Sequence, residues 1–148
     1  MGSLLDNQVL ICAFIAWQLA QLLKIPFNYW RTQEVEWRLY FRPGGMPSSH
    51  SALMISTTLA IGLFHGFDTP TFALGVAISM IVLYDAAGVR RQAGMHAKKI
   101  NLIIDELLKG HPISEQQLKE VLGHSPLEVV GGTFLGILVP IVYWLIVR

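Results

Sequence analysis

Three short segments hold side chains suited to phosphoryl chemistry. The first is Arg42-Pro43-Gly44-Gly45-Met46-Pro47-Ser48-Ser49-His50. Its glycines permit a tight turn, and Ser48 or Ser49 can cap a following helix whose N–H groups and dipole favour an anion. Arg42 adds a charge with bidentate reach to phosphate oxygens. His50 stands where a proton donor to a leaving oxygen could be held. The plainer reading is a loop ending in an ordinary serine N-cap, with His50 at the lipid headgroup level, and a short motif does not decide between the two.

The second segment is Gly123-His124-Ser125-Pro126-Leu127-Glu128. Ser125, Pro126 and Glu128 read as N-cap, first-turn proline and capping box. The chemical reading makes His124 a nucleophile on phosphorus, with Glu128 holding one ring nitrogen so that the other is available to attack. Both hold if the carboxylate accepts from backbone and imidazole together. The third segment is Tyr84-Asp85-Ala86-Ala87-Gly88-Val89-Arg90-Arg91. An aspartate near the end of an apolar run is costly and calls for a partner. Arg90 and Arg91 either clamp phosphate, with Asp85 positioning one of them, or form a basic cluster that ends a membrane span beside a paired acid.

The elements that must position these groups are apolar helices. Hydrophobic residues make up 53% of the 148-residue chain and charged residues only 14%, well below the quarter usual in soluble proteins. Four apolar stretches, about 4–23, 51–67, 71–89 and 129–147, have the length a helix needs to cross a hydrocarbon core. The expected fold is therefore all-α: a single integral membrane domain over 1–148, a bundle of about four transmembrane helices with short interfacial helices. Residues 26–41 mix Trp30, Trp37 and Tyr40 with Arg31, Glu36 and Arg38, which suits an interfacial segment. Residues 90–108 repeat Ile100, Ile103, Ile104, Leu107 and Leu108 at a helical period. Ser114 and Gln117 have capping-box spacing for a short helix that stops at Gly123. Cys12, the lone cysteine, lies in an apolar run and has no partner for a disulfide within the chain.

Ten of the eleven basic residues lie in two places. Lys24, Arg31, Arg38 and Arg42 separate the first two stretches, and Arg90, Arg91, Lys98, Lys99, Lys109 and Lys119 separate the last two. Four spans put both clusters on one face, which the positive-inside rule makes cytoplasmic, with both termini outside. The ends that bear His50, Arg90 and His124 then converge. No dense basic patch with interleaved aromatics marks a nucleic-acid partner.

Met46-Pro47-Ser48-Ser49-His50-Ser51-Ala52, the stretch from Asp85 to Gly94, and Gly123-His124-Ser125-Pro126-Leu127-Glu128-Val129-Val130-Gly131-Gly132 together resemble the divergent branch of the type-2 phosphatidic acid phosphatase superfamily. The resemblance covers nearly the whole chain. It implies that Ser48 binds phosphate, that His50 protonates the leaving group and that His124 becomes a phosphohistidine, with Glu128 where the superfamily has an aspartate. It also implies that water then releases phosphate without a metal or other cofactor. Two superfamily positions differ: Leu118 stands where an arginine precedes the nucleophile by six residues, and Val35 where a lysine precedes Arg-Pro by seven. Lys24, Arg90 and Arg91 are the candidates to supply those charges in space.

The expected function is a metal-independent membrane phosphatase acting on a phospholipid phosphate or a polyprenyl phosphate or diphosphate. The catalytic residues would be His124, His50 and Glu128, and the substrate-binding residues Arg42, Ser48, Ser49, Lys24, Asp85, Arg90 and Arg91. The alternative is a non-catalytic lipid-phosphate-binding or scaffolding protein. Gly132 and Gly136 give that alternative a small-xxx-small face for close helix packing or homodimerisation. A metal-dependent reading from Asp85, Asp105 and Glu128 lacks tight ligand spacing.

Overall fold

The computed structural model describes residues 6–41, 44–107 and 125–148, and every one of its regular elements is a helix. Helix α1 spans Gln8–Thr32, a short 3-10 helix Trp37–Tyr40, α2 Ser49–His65, α3 Pro70–Tyr84, a π-helical turn Asp85–Val89, α4 Arg90–Leu107 and α5 Pro126–Val147. Three stretches are long and apolar enough to cross a membrane: Gln8–Thr32, Pro70–Gly88 and Pro126–Val147. The 17 residues of α2 are just within the spanning range.

Small residues determine how the helices meet. On α1 the i, i+4 row Cys12, Ala16, Ala20 and Lys24 is buried, three small side chains followed by a lysine. Helix α2 buries Ser49, Ser51, Ala52, Ser56, Thr58, Ala60 and Gly62, and it packs against α1, α3 and α5, so it is the central helix. Helix α5 buries Gly132 and Gly136. A Cβ on Gly132 would overlap the Ser48 carbonyl oxygen, and one on Gly136 would lie 2.8 Å from the Ala52 carbonyl oxygen. The glycine face noted in the sequence is therefore taken up by packing on α2 within the chain. Close backbone approach is how helices associate in lipid, where apolar side chains gain nothing by leaving the solvent.

Hydroxyl groups tie the helices of the bundle together. Ser56 Oγ donates to the Cys12 carbonyl at 3.0 Å, tying α2 to α1. Thr58 Oγ1 and Ser79 Oγ lie 2.8 Å apart, tying α2 to α3. The large apolar residues face outward: Phe14, Met80, Ile81, Phe134 and Ile146 are all exposed. In water such a surface would drive association, and in a bilayer it is the lipid face.

These contacts fix the helix directions. Helices α2 and α5 run parallel, with Ser48 N–H donating to the Glu128 carbonyl at 2.9 Å at one end and Phe64 against Tyr143 near the other. Helices α1 and α3 run opposite to them.

Two of the apolar stretches are parts of longer helices. The first helix does not stop near 23 but continues to Thr32, through Pro26, and ends where Gln33 adopts a left-handed conformation (φ 60°) with its N–H on the Tyr29 carbonyl. Proline removes one donor and forces no stop where neighbours re-satisfy the backbone. The interfacial segment is correspondingly shorter, and Tyr40 Oη donates to Gln18 Oε1 at 2.7 Å, folding it back on α1. The third apolar stretch, 71–89, coincides with the apolar run Pro70–Gly88, and no break separates it from the helical repeat after it. It widens into a π turn from Asp85 and continues as α4. The expected short helix at Ser114–Gln117 and its stop at Gly123 lie outside the described residues.

Candidate functional site

One end of the bundle gathers the C-terminal part of α1, the turn before α2, the π turn after α3 and the first turn of α5. Ser48 is the N-cap of α2, its Oγ accepting from Ser51 N–H at 3.3 Å and from Ser51 Oγ at 3.0 Å. Ser48 and Ser51 are fully buried, Ser49 nearly so, and His50 is exposed beside them. The serine capping read from sequence is thus present, and the Ser48 hydroxyl is engaged by its own helix.

At the start of α5 the capping box is complete. Glu128 N–H donates to Ser125 Oγ at 3.4 Å, and Ser125 N–H donates to Glu128 Oε2 at 3.2 Å. Since Ser48 N–H bonds the Glu128 carbonyl, the N-termini of α2 and α5 lie side by side, and both positive dipole ends point into one region.

Lys24 enters this region from α1. Only 2% of it is exposed. Its stem passes Gly45, where an added Cβ would sit 3.7 Å from Lys24 Cδ, and Glu128 supplies the opposing charge. A lysine removed from water is costly unless paired, and the Glu128 carboxylate offsets that cost. A cavity of about 460 Å³ opens beside it. Lys24, Asn28, Arg31, Ser125 and Glu128 give it polar groups, and Phe27, Trp30, Leu39, Met46 and Leu127 give it apolar walls.

The structure therefore brings Lys24, Ser48, Ser49, His50 and Glu128 to one end, and Asp85 and Ala86 of the π turn lie at that end too, the turn touching α5. Asp85 is half-buried and engaged in an interaction. Arg42 and His124 lie outside the described residues. Arg90 and Arg91 start α4, and their side chains are likewise outside the description. Among the described residues no three His, Cys, Asp or Glu side chains are grouped to hold a metal ion.

The family follows from the chain as a whole. Residues 5–139 match the divergent PAP2 family. The chain belongs to that family. Its divergent PAP2 sequence is 38% identical to the uncharacterized membrane protein YuiD of Bacillus subtilis (strain 168), over 95% of this chain and 96% of that protein. No solved structure matches it.

Sequence reasoning on this divergent PAP2 member missed Phe27, Asn28, Trp30 and Arg31 as neighbours of Lys24. Their signal was the row Cys12, Ala16, Ala20, Lys24, Asn28, which keeps helical spacing straight through Pro26.

Proposed function

We propose that this protein hydrolyses a lipid phosphate or diphosphate at the Lys24 end of the bundle, through a phosphohistidine on His124. The observation that carries this reading is the buried Lys24 beside two helix N-termini and a cavity with apolar walls. A preorganised cation and backbone dipoles stabilise the charge that develops on phosphoryl oxygens. The apolar walls suit an amphiphile whose phosphate lies at the membrane surface. Family membership supports the assignment of roles along the sequence.

In the proposed reaction a ring nitrogen of His124 attacks phosphorus while the bond to the leaving oxygen breaks. His50, exposed at the first turn of α2, donates the proton that oxygen needs. Water, giving a proton back to His50, then attacks the phosphohistidine; the P–N bond breaks, inorganic phosphate leaves and both imidazoles are restored. Glu128 orients the imidazole while remaining the N3 acceptor of its capping box. Lys24 takes the part of the cations missing at Val35 and Leu118, together with Arg42, Arg90 and Arg91.

One observation favours a second reading, lipid-phosphate binding without turnover: Leu118 and Val35 stand where the superfamily has an arginine and a lysine that would stabilise the transition state. Phosphate release from lipid phosphates and diphosphates in detergent decides between them. Turnover that survives EDTA, is blocked by vanadate and disappears in His124→Ala supports the phosphatase. Binding of the lipid with no release from any substrate supports the second reading.

A further inference from the structure

Helices α1 and α5 meet along a seam whose two ends differ in chemistry. At one end is the cavity beside Lys24. Farther along the same pair of helices lies an apolar groove of about 290 Å³, lined by Ile15 and Leu19 of α1 and by Leu135, Leu138, Val142 and Ile146 among the residues of α5. On α1 the i, i+4 row Ile15, Leu19, Leu23, Phe27 and Arg31 runs from the groove to the cavity without a polar residue until its last member. From Ile15 to Phe27 that row covers about 18 Å at the rise of an α-helix. The seam is therefore charged at one end, apolar along its length, and of membrane dimension.

We propose that the α1–α5 groove holds a hydrocarbon chain of the same lipid whose phosphate sits beside Lys24. This deepens the phosphatase reading by naming where the substrate's tail is recognised, and it rests on that reading only for the identity of the head group. Two features commit the groove to a chain of an anionic lipid. It lies on the same two helices as a cavity that combines Lys24 and Arg31 with apolar walls, so one amphiphile along α1 and α5 would satisfy both. Its walls are apolar apart from the Tyr143 hydroxyl, so the groove itself offers no polar partner. A chain in the seam would thus be selected by its phosphate.

Phosphatidic acid carrying a diazirine midway along one acyl chain, in phosphatidylcholine vesicles with the full-length protein, tests this directly. After irradiation, labelled peptides should concentrate at Ile15–Leu19 and Leu135–Ile146. Unlabelled phosphatidic acid should compete and diacylglycerol should not. Leu138→Trp, which fills the groove, should cut seam labelling about tenfold, as expected when a chain contact is lost. Lys24→Met should abolish the advantage of phosphatidic acid over diacylglycerol. The same labelling on His124→Ala separates this inference from the reaction, because an inactive protein still binds its tail. Label spread equally over Leu74, Met80 and Ile81 would overturn the proposal, as would seam labelling that diacylglycerol competes as well as phosphatidic acid.

Discussion

At the residue scale, the account turns on Lys24. Its environment is a helix row of small residues on one side and Glu128 on the other, with almost none of its surface open to water. Lys24→Met keeps the packing and removes the charge, so kcat/KM for a lipid phosphate should fall by about a hundredfold, the scale of one transition-state electrostatic contact. Lys24→Arg should recover part of that loss, and steady-state kinetics on both variants checks the order. Ser125→Ala removes the cap of α5 and should destabilise the protein by about 1 kcal/mol, read as a lowered melting temperature in detergent. Both residues were legible in the sequence for different reasons. Ser125 announced itself through Pro126 and Glu128, a local pattern that forms locally. Lys24 stood out as a candidate to replace a missing superfamily cation, but its burial was not legible, because that depends on α1 continuing past Pro26 and on Gly45 coming close to its stem.

At the element scale, the contact between α2 and α5 is set by two glycines. Gly132→Ala places a methyl group on the Ser48 carbonyl, and Gly136→Ala places one against Ala52. Neither obstacle is a flexible side chain, so each substitution should force the helices apart and reduce the yield of monodisperse protein in detergent. Gly88→Ala in the π turn meets nothing within 4 Å and should purify as the parent does, which size-exclusion chromatography would show. The small-xxx-small spacing predicted close packing but not its partner. A sequence pattern marks where a backbone can approach, and only the fold says whose backbone arrives. The helix boundaries show the same limit. The polarity change near Lys24 reads as the end of a span, yet α1 runs on to Thr32 because Asn28, Thr32 and Glu34 satisfy each other at its end. The continuous turn from α3 into α4 had no advance signal, since Asp85 and the arginines that follow look like a stop.

At the scale of the whole molecule, the four apolar stretches appear as helices whose directions put Lys24, Ser48, Asp85 and Glu128 at one end. The convergence of segments far apart in sequence was legible because successive helices that run in opposite directions leave little freedom in where the ends fall. Asn7 and His65 lie together around a cavity at the opposite end, which is where α5 also finishes. Reporter tags on the two termini should therefore give matching topology, and the distribution of Lys and Arg predicts that both face away from the cytoplasm. A tag that reports the cytoplasm at either terminus would contradict that orientation.

The central claim is that phosphate passes through His124, and trapping the covalent intermediate tests it most directly. The protein is mixed with a lipid phosphate labelled on phosphorus, quenched within the first turnover in base, and separated by electrophoresis. The expected result is a protein-bound label that is stable in base, lost in acid, and absent from His124→Ala. Label retained in His124→Ala would contradict it, as would substrate hydrolysis by that variant at the parental rate.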